Sequence, residues 1–518
     1  MERAAQSGDR LDLLLAGARL ECALADLEAE DDWEEGRRAR LDFSRRAAAW
    51  YLGRGGRPDR AMLAALRQTP RSNLSVTVST PEGLRYYALA PKGFAAAAER
   101  WRREHPQPEA VWVLGLRSMG SVLAPVVAEA LARPGRGNVR CLTLRPVGPP
   151  AARQIAATVR LRRALAGWPG AFLIVDEGPG LSGSSFGGAV AFLAGLGVAE
   201  SRLALLVSGS PPAERLSSPQ AAAGWRRWQI YVAHPLPPPY SDGGPARELS
   251  GGAWRGVLGG LAATPVWGEH ERRKFLTDRG KTLVKFAGLG SYGQQTAERA
   301  RRLGAAGWGP ALAPDAEAEP GWLRYRRLRA RPLSARPGRS WCEFAGRYLA
   351  WVRSEYRLGP PAPPSPALGE MVAINQERML GIDPTSEAPP GVPVALDGRM
   401  LPIEWGQVNG SWVKFDATDH GDDPFFPGPA DIAWDLSALA VEFGAARGAA
   451  AAAAYRRHSG ETEAALAPRL RWHGLAYALF RAAYCSFAAT RVGAPDSAWF
   501  RQASRPYLVE CRRRLAAH

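Results

Sequence analysis

The chain has 518 residues, of which 46% are hydrophobic and 23% are charged. These proportions are typical of a globular protein, and the length is enough for two or three domains with separate cores. The sequence contains no uninterrupted apolar run of membrane-spanning length, and its first residues show no signal-peptide pattern. We therefore expect a cytoplasmic protein with no membrane partner.

The formal net charge is +17, but only five of the 67 basic residues are lysine. Such an excess of arginine, beside abundant alanine and glycine, is typical of a GC-rich genome. The chain has no long basic block and no aromatic-basic RNA-binding motif, so nucleic acid is not an expected partner. Attraction of phosphorylated small molecules explains the positive net charge equally well. The five cysteines are scattered and form no CxxC pair, so neither a zinc site nor a disulfide framework is indicated.

In chain order, residues 1–72 show apolar spacing of helical period and are predicted to form a helical N-terminal segment. The pattern then changes, and strands are expected at 74–78 and 84–89. Helical segments alternate with apolar runs from there on, which predicts an α/β domain with a parallel sheet over residues 73–234. The strands expected in that sheet are 110–114, 140–144, 172–175, 203–207 and 229–232.

A segment rich in proline, glycine and serine follows, and residues 235–253 are predicted to be a linker. The remaining residues, 254–518, are predicted to form the last domain.

Residues 172–186 read FLIVDEGPGLSGSSF, an apolar strand, then Asp176 and Glu177, then a glycine- and serine-rich loop that leads into a helix. Backbone N–H groups of such a loop and of the helix start can hold a phosphate group. Two adjacent carboxylates can accept hydrogen bonds from vicinal sugar hydroxyls. The segment therefore predicts a site for a phosphorylated sugar.

Two further loops follow apolar strands upstream of this segment. The loop after residues 110–114 contains Arg117 and Gly120, and the loop after residues 140–144 contains Arg145 and Arg153. Because the three loops lie on successive βα units, they are expected at the same edge of the sheet.

This order of strands and loops resembles the type I phosphoribosyltransferases. The resemblance implies a phosphoribosyltransferase-like parallel sheet domain that binds phosphoribosyl pyrophosphate (PRPP). It implies that Asp176 and Glu177 contact the ribose hydroxyls, and that Arg145 and Arg153 act as catalytic residues on a mobile loop over pyrophosphate. The residues that it assigns to the 5-phosphate and to pyrophosphate are Ser182, Gly183, Ser184, Ser185, Arg117 and Gly120.

In the second half, three of the five lysines lie between Lys274 and Lys285, in a segment predicted to be a β-hairpin that turns at residues 278–280. A helix predicted at residues 294–303 carries Glu298. A strand lysine followed by a helix glutamate is the pair that orients ATP phosphates in protein kinases and their relatives.

Further on, Asp397 follows an apolar segment, Asp416 follows a strand, and an Asp-Leu pair at Asp435 opens a helix. This order resembles the aminoglycoside phosphotransferases and related small-molecule kinases, and implies an α+β, two-lobed kinase-like domain. By that resemblance Lys285 and Glu298 contact ATP. The resemblance also implies that Asp397 accepts the proton of the substrate hydroxyl and that Asp416 holds Mg²⁺. Glu404 is expected as a second metal ligand in place of an asparagine that this chain lacks.

A competing motif is the GxGxxG of residues 288–293, which with Asp315 is also the pattern of a dinucleotide-binding fold. The preceding strand is expected in a tight hairpin, unlike the buried first strand of such folds, and this disfavours the dinucleotide interpretation.

The combined prediction is a bifunctional enzyme that uses PRPP, ATP and Mg²⁺ and transfers a phosphoryl group to a small, nucleoside-like metabolite. The alternative is a regulatory protein that senses PRPP or a nucleotide and has a degenerate kinase-like domain. The alternative is supported by the altered PRPP loop and by Ala395 and Leu396, which stand where the kinases carry a histidine before the catalytic aspartate. The pair of Asp397 and Asp416 supports the enzyme, which is the leading prediction. A homodimer is left open.

Overall fold

The structure is a computed structural model of the chain. It describes residues 8–27, 35–67, 78–107, 110–132, 138–238, 244–257, 263–317, 319–333, 337–383, 387–418, 421 and 425–516. The chain divides into two compact units, residues 1–238 with 288–293, and residues 239–287 with 294–518. The division after Pro238 lies inside the segment predicted as a linker, and the N-terminal helices belong to the same unit as the parallel sheet.

The first unit begins with helices, as the apolar spacing indicates. They are α1 (Arg10–Ala25), α2 (Glu35–Tyr51), α3 (Arg60–Arg67), α4 (Glu82–Arg85) and α5 (Pro91–Glu104). Asp9 caps α1 by accepting hydrogen bonds from the amides of Leu11 (2.8 Å) and Asp12 (2.9 Å). The strand expected at residues 84–89 is wrong, because the short helix α4 occupies its beginning and no strand follows there. The strand expected at 74–78 lies almost wholly outside the described residues.

A five-stranded parallel sheet forms the centre of the first unit. The strands of this unit are β1 (Val111–Leu116), β2 (Val139–Leu144), β3 (Pro146–Val147), β4 (Gln154–Ile155), β5 (Ala171–Val175), β6 (Leu203–Val207) and β7 (Gln229–Val232). The order in the sheet is β2-β1-β5-β6-β7, and all neighbouring pairs are parallel. Every residue of β1, β5 and β6 is buried, which explains why these strands read as continuous apolar runs.

The helices that cross between these strands are α6 (Met119–Leu131), α7 (Val159–Ala166), α8 (Ser184–Gly195) and α9 (Pro219–Trp225). The strand order reverses between β1 and β5, so the carboxyl ends of these two strands form a topological switch point. Open parallel sheets bind their ligands at this position.

The strands of the second unit are β8 (Arg247–Glu248), β9 (Lys274–Thr277), β10 (Thr282–Phe286), β11 (Trp322–Arg326), β12 (Arg331–Pro332), β13 (Pro393–Val394), β14 (Trp405–Val408), β15 (Ser411–Lys414) and β16 (Ala430–Asp431). They form an antiparallel sheet of order β11-β10-β9-β8 and two smaller sheets, β12-β14-β15 and β13-β16. Strands β9 and β10 form the predicted hairpin, with Lys285 opposite Lys274.

Most of the second unit is helical. Its helices are α10 (Ser291–Ala305, counted here from Gln294 on), α11 (Arg339–Glu355), α12 (Pro366–Leu380), α13 (Ala433–Phe443), α14 (Ala445–Ser459), α15 (Glu463–Ala489) and α16 (Asp496–Leu515). Their common core contains Trp341, Trp405 and Trp434, each at most 1% exposed. Among the described residues, no helix combines the length and the apolarity that crossing a membrane requires.

Candidate functional site

A lysine and an aspartate form an accessible ion pair in the second unit. Lys285 lies on β10, where it is opposite Leu323 of β11, and Asp416 follows β15. Nζ of Lys285 donates to Oδ1 of Asp416, and the two side chains are 12% and 32% exposed. Asp416 has φ = 58°, a left-handed conformation that a non-glycine residue rarely adopts. Strain of this kind is concentrated at functional positions, so it marks Asp416 as a candidate site residue.

Asp397 lies in a fully buried ionic cluster. Its carboxylate accepts a hydrogen bond from the Tyr348 hydroxyl (3.0 Å), and Oδ2 lies 3.0 Å from Nζ of Lys414. Its own amide and that of Gly398 donate to the two oxygens of Asp435, at 3.1 and 2.9 Å. Asp435 at the start of α13 therefore fixes the backbone of the Asp397 loop. With 0% exposure, Asp397 is not positioned to meet a substrate hydroxyl in this conformation.

Glu404, the predicted second metal ligand, is engaged by cations of the protein itself. Its carboxylate lies 3.2 Å from Nζ of Lys414 and accepts a hydrogen bond from Nε of Arg399 (2.9 Å), and the residue is 4% exposed. Two fixed cations of the protein therefore hold this buried carboxylate. Lys414 also donates to the carbonyl of Phe415 (2.9 Å), so that its ammonium joins the Asp397 loop to the residue before Asp416.

The charges of this cluster support one another. Burial lowers the pKa of Lys414, but the carboxylates of Asp397 and Glu404 outweigh this and hold the pKa above its ordinary value. Burial raises the pKa of Asp435, and the negative charge of Asp397 raises it further. Burial also raises the pKa of Tyr348, and the charge of Asp397 adds to this, so Tyr348 stays protonated and can donate.

The predicted pair of Lys285 and Glu298 is not formed. Glu298 is exposed on α10 and bonds to Arg301 and to Arg302, whose Nε lies 2.7 Å away. The physical reason is the rotation of the helix, because the next residue, Arg299, is the one that faces the loops of the site.

Arg299 holds both loops through their backbones. Its guanidinium donates to the carbonyls of Ala417 (3.0 Å), Ala395 (2.8 Å) and Leu396 (3.0 Å). One side chain therefore contacts the residue after Asp416 and the two residues before Asp397. Its guanidinium also lies 4.6 Å from the ring centroid of Tyr356, a cation–π distance.

Among the residues that the structure describes, no group of three or more histidine, cysteine, aspartate or glutamate side chains is arranged to hold a metal ion. Magnesium is commonly held by one or two carboxylates together with substrate phosphates and water. Asp416 is consistent with such a role, whereas Glu404 is not. His420, which the sequence places in a polar loop in preference to a metal site, lies outside the described residues.

In the first unit, Asp176 and Glu177 lie at the switch point, directly after β5. The amide of Asp176 donates to Leu206 (3.2 Å) and the carbonyl of Glu177 accepts from Ser208 (2.7 Å), so both backbones are fixed against β6. Burial raises the pKa of Asp176 to about 7, against hydrogen bonds from the amides of Glu177 and Gly120 that lower it. Burial raises the pKa of Glu177 to about 8, and the charge of Asp176 adds to this. Hydroxyl donors or a cation would stabilise both carboxylates.

Gly120 lies at the crossing of β1 and α6. A Cβ atom there would be 2.7 Å from the carbonyl oxygen of Val175, which leaves no room for any other residue. Its place in the site is therefore explained by the close approach of α6 to β5, and by the hydrogen bond from its amide to Asp176.

The predicted phosphate loop leads into α8. The hydroxyls of Ser182 and Ser184 both donate to the carbonyl of Pro150, at 2.8 and 2.6 Å. Gly183 has φ = 70° and precedes the helix, and Ser185 lies half-buried in the first turn. The structure thus places the four residues at a helix N-terminus, with two of their hydroxyls engaged by the chain itself.

The two predicted catalytic arginines have different partners. Residues 145–153 lead through the β3–β4 hairpin rather than through an irregular loop. Arg153 donates to the carbonyl of Gly148 (2.6 Å) inside that hairpin. Arg145 and Arg117 instead both contact Asp26, which follows α1. The structure therefore brings Arg145 together with Arg117 and not with Arg153.

The GxGxxG segment belongs to the first unit and its helix start is already occupied. The amide of Ser291 donates to Oδ1 of Asp12 (2.7 Å), and the amide of Leu289 donates to the carbonyl of Leu84 (3.0 Å). Asp315 forms an ion pair with Arg324 (3.1 Å). These contacts disfavour the dinucleotide interpretation.

Sequence reasoning missed Lys414, Arg299, Tyr348 and Asp26. For Lys414 a weak signal exists, since it is one of only five lysines and stands two residues before Asp416. No pattern marks the other three, because their roles depend on which way a helix faces or where it ends.

No protein-family model and no curated protein sequence matches the chain. Solved structures of kinases are similar to about half of it. A choline/ethanolamine kinase family protein from Mesorhizobium loti is 17% identical, with a TM-score of 0.34, over 53% of this chain and 92% of the other. The choline kinase LicA from Streptococcus pneumoniae is 13% identical, with a TM-score of 0.30, over 49% and 92%.

An amicoumacin kinase in complex with AMP-PNP and Ca²⁺ is 12% identical, with a TM-score of 0.31, over 46% of this chain and 85% of the other. All three TM-scores lie below 0.5, so these likenesses carry no functional argument by themselves. Functional conclusions for this chain depend on its own residues.

Proposed function

We propose that the second unit binds Mg²⁺·ATP at the Lys285–Asp416 pair and transfers a phosphoryl group to a hydroxyl of a small, nucleoside-like metabolite. The observation that carries this proposal is the pair itself, a strand lysine bonded to an aspartate in a left-handed conformation. An ammonium group contacts phosphate oxygens, and a carboxylate suits the hard cation that bridges them. Because both side chains keep exposed surface, a ligand can reach them.

Mg²⁺ would be held by Asp416 together with the phosphates of the nucleotide, and would neutralise charge on the transferred group. The residues of the chain then have separate tasks. Lys285 binds the phosphates, while Arg299 and Asp435 keep the two aspartate-bearing loops in place.

Calorimetry with ATP and Mg²⁺ tests the proposal on the full chain. Lys285→Ala and Asp416→Asn should each weaken binding at least tenfold. Lys281→Ala, which removes an exposed lysine from the same hairpin, should change the affinity less than twofold. Equal affinity for wild type and both site variants would exclude this nucleotide site.

A second candidate function is nucleotide binding without turnover, as in a regulatory protein. A catalytic carboxylate has to come within hydrogen-bond distance of the hydroxyl that it deprotonates. Asp397 has no exposed surface and is bonded to Lys414, and this observation favours the regulatory candidate. ATP consumption measured beside binding separates the two, since binding without consumption in the presence of candidate hydroxyl acceptors supports the regulatory role.

For the first unit we propose a PRPP-type ligand with Mg²⁺. The support is the position of Asp176 and Glu177 at the switch point. Burial raises the pKa of both carboxyl groups there, so their charged forms are unfavourable until a ligand donates hydrogen bonds to them. The double variant Asp176→Asn/Glu177→Gln should abolish PRPP binding in calorimetry, and Glu200→Gln, on the surface of the same unit, should not. No binding of PRPP to wild type at millimolar concentration would end the proposal.

A further inference from the structure

Two arginines at the carboxyl edge of the first unit's sheet hold a carboxylate of the chain itself. Arg145, the residue after β2, donates Nε to Oδ1 of Asp26 (2.9 Å) and Nη2 to Oδ2 (2.5 Å). Arg117, the residue after β1, donates Nη1 to the same Oδ1 (3.0 Å). Paired N–H groups on two oxygens are the geometry in which arginine binds phosphate as well as carboxylate.

The arginine side of this contact is built into the sheet. The Arg117 side chain is 1% exposed, and its Nε donates to Oγ1 of Thr143 on β2 (3.3 Å). Nη1 of Arg145 donates to the carbonyl of Arg117 (3.0 Å), so the two arginines hold each other. The next residue, Ser118, has φ = 108° and ψ = −98°, a strained backbone of the kind found in ligand-binding loops.

The aspartate side is different. Asp26 follows the last residue of α1, and its side chain is 34% exposed. Asp26 is the C-cap residue of α1, and an acidic side chain at this position is unfavourable to the helix dipole. Nη1 of Arg117 also donates to the carbonyl of Ala25 (3.0 Å), so the same arginine caps the helix end and pairs with Asp26. Burial raises the pKa of Asp26, but the guanidiniums of Arg145 and Arg117 outweigh this and hold the pKa below its ordinary value.

The resemblance to the phosphoribosyltransferases assigns both arginines to pyrophosphate, and we refer to Arg117 and Arg145 together as the clamp. We propose that Asp26 is an internal occupant of this clamp, which a diphosphate ligand must displace. The proposal rests on the phosphorylated ligand proposed for the first unit, and names how access to that site is controlled. A tethered carboxylate competes at high effective concentration, which weakens ligand binding. A diphosphate carries more charge and more acceptor oxygens than the carboxylate, and therefore replaces it once its concentration is sufficient.

Inorganic pyrophosphate is the probe, titrated by calorimetry into the full chain without Mg²⁺. Asp26→Asn should bind it at least tenfold more tightly than wild type, because the clamp then lacks its competing anion. The double variant Asp26→Asn/Arg145→Gln should lose that gain. A gain below twofold, or a gain that survives in the double variant, would overturn the clamp.

A second measurement needs no variant. The amides of Asp26 and Leu27 donate to carbonyls of the last turn of α1. If pyrophosphate expels Asp26, hydrogen exchange of these two amides should rise in wild type, whereas an unchanged rate at saturating pyrophosphate contradicts the displacement.

The two proposals for this unit fail in different ways. If pyrophosphate binding depends on Asp26 and Arg145 but PRPP binding does not depend on Asp176, the clamp is retained and the ribose site is rejected. If wild type binds PRPP and Asp26→Asn changes the affinity for neither PRPP nor pyrophosphate, the clamp alone is rejected.

Discussion

Replacing Lys414 by methionine tests the charge arrangement of the buried cluster most directly. The substitution removes the only ammonium group within 3.2 Å of both Asp397 and Glu404 among the described residues. Removing one partner of a buried ion pair leaves an uncompensated charge and costs about 3–5 kcal/mol. Glu404 keeps Arg399, so most of this loss should come from Asp397.

A further change should recover stability. Asp397→Asn in the Lys414→Met background removes the buried charge that has lost its ammonium group, and the double variant should regain about 2 kcal/mol or more.

Hydrogen exchange in increasing urea, followed by mass spectrometry of peptides from β14 and β15, measures the free energy of unfolding of this unit. Lys281→Met, an exposed lysine, is the matched control and should change it by less than about 0.5 kcal/mol. A loss below about 1 kcal/mol for Lys414→Met would refute the reasoning. A double variant less stable than Lys414→Met would refute it equally.

Three other predictions concern the remaining features. Arg299→Gln should raise the rate of hydrogen exchange of amides in residues 395–397 and 416–418, and should destabilise the second unit by about 2 kcal/mol. The control Arg301→Gln, on the same helix, should do neither. Equal exchange rates in the two variants would contradict the role of Arg299. Glu177, with its pKa raised to about 8, contributes stability that is full below its unfolded pKa and is lost as pH rises through about 8. The pKa shift of Glu177 sets an upper bound of about 5 kcal/mol on this contribution to the free energy of unfolding, and the partial exposure of the side chain reduces it to about 1–2 kcal/mol. Urea titrations between pH 5 and 9 should show this fall in stability in wild type and not in Glu177→Gln. Gly115→Ala would place a Cβ 2.2 Å from the carbonyl oxygen of Gly120 and should cost about 3 kcal/mol by thermal unfolding, whereas Gly195→Ala, with nothing within 4 Å, should be neutral or stabilising.

The sequence predicted the parallel sheet of the first unit well, because strands that are buried on both faces leave a continuous apolar signal. The loops after β1 and β5 lie at the carboxyl edge of this sheet, as parallel strands require, but the sequence did not show that Arg145 contacts Arg117 rather than Arg153. The strand expected at residues 84–89 was wrong. There Gly83 lies against Glu177, where a Cβ would be 3.1 Å from the carboxyl carbon, and this long-range contact leaves no local pattern.

In the second unit, spacing located the hairpin and the aspartates but not the orientation of the helix between them. One residue along a helix turns the side chain by about 100°. Glu298 and Arg299 therefore cannot exchange roles, and only the packing of α10 decides which one faces the loops. Lys414 was missed for a related reason, because a strand lysine is usually exposed and burial follows from the carboxylates that surround it in space.

The charges of the second unit's cluster have a consequence for the order in which a metal and a nucleotide could enter. The Lys285–Asp416 pair and the buried cluster beside it together contain three cations and three carboxylates, namely Lys285, Lys414, Arg399, Asp416, Asp397 and Glu404. Asp435 is counted as neutral, because burial raises its pKa to about 8. Within this set the formal charges cancel before any ligand is present. A bare divalent cation would have to compete with Lys285 for Asp416 and would leave the set with excess positive charge. A metal already bound to a triphosphate arrives with net negative charge and offers Lys285 new oxygens in exchange. The metal is therefore expected to enter already bound to the nucleotide and not before it.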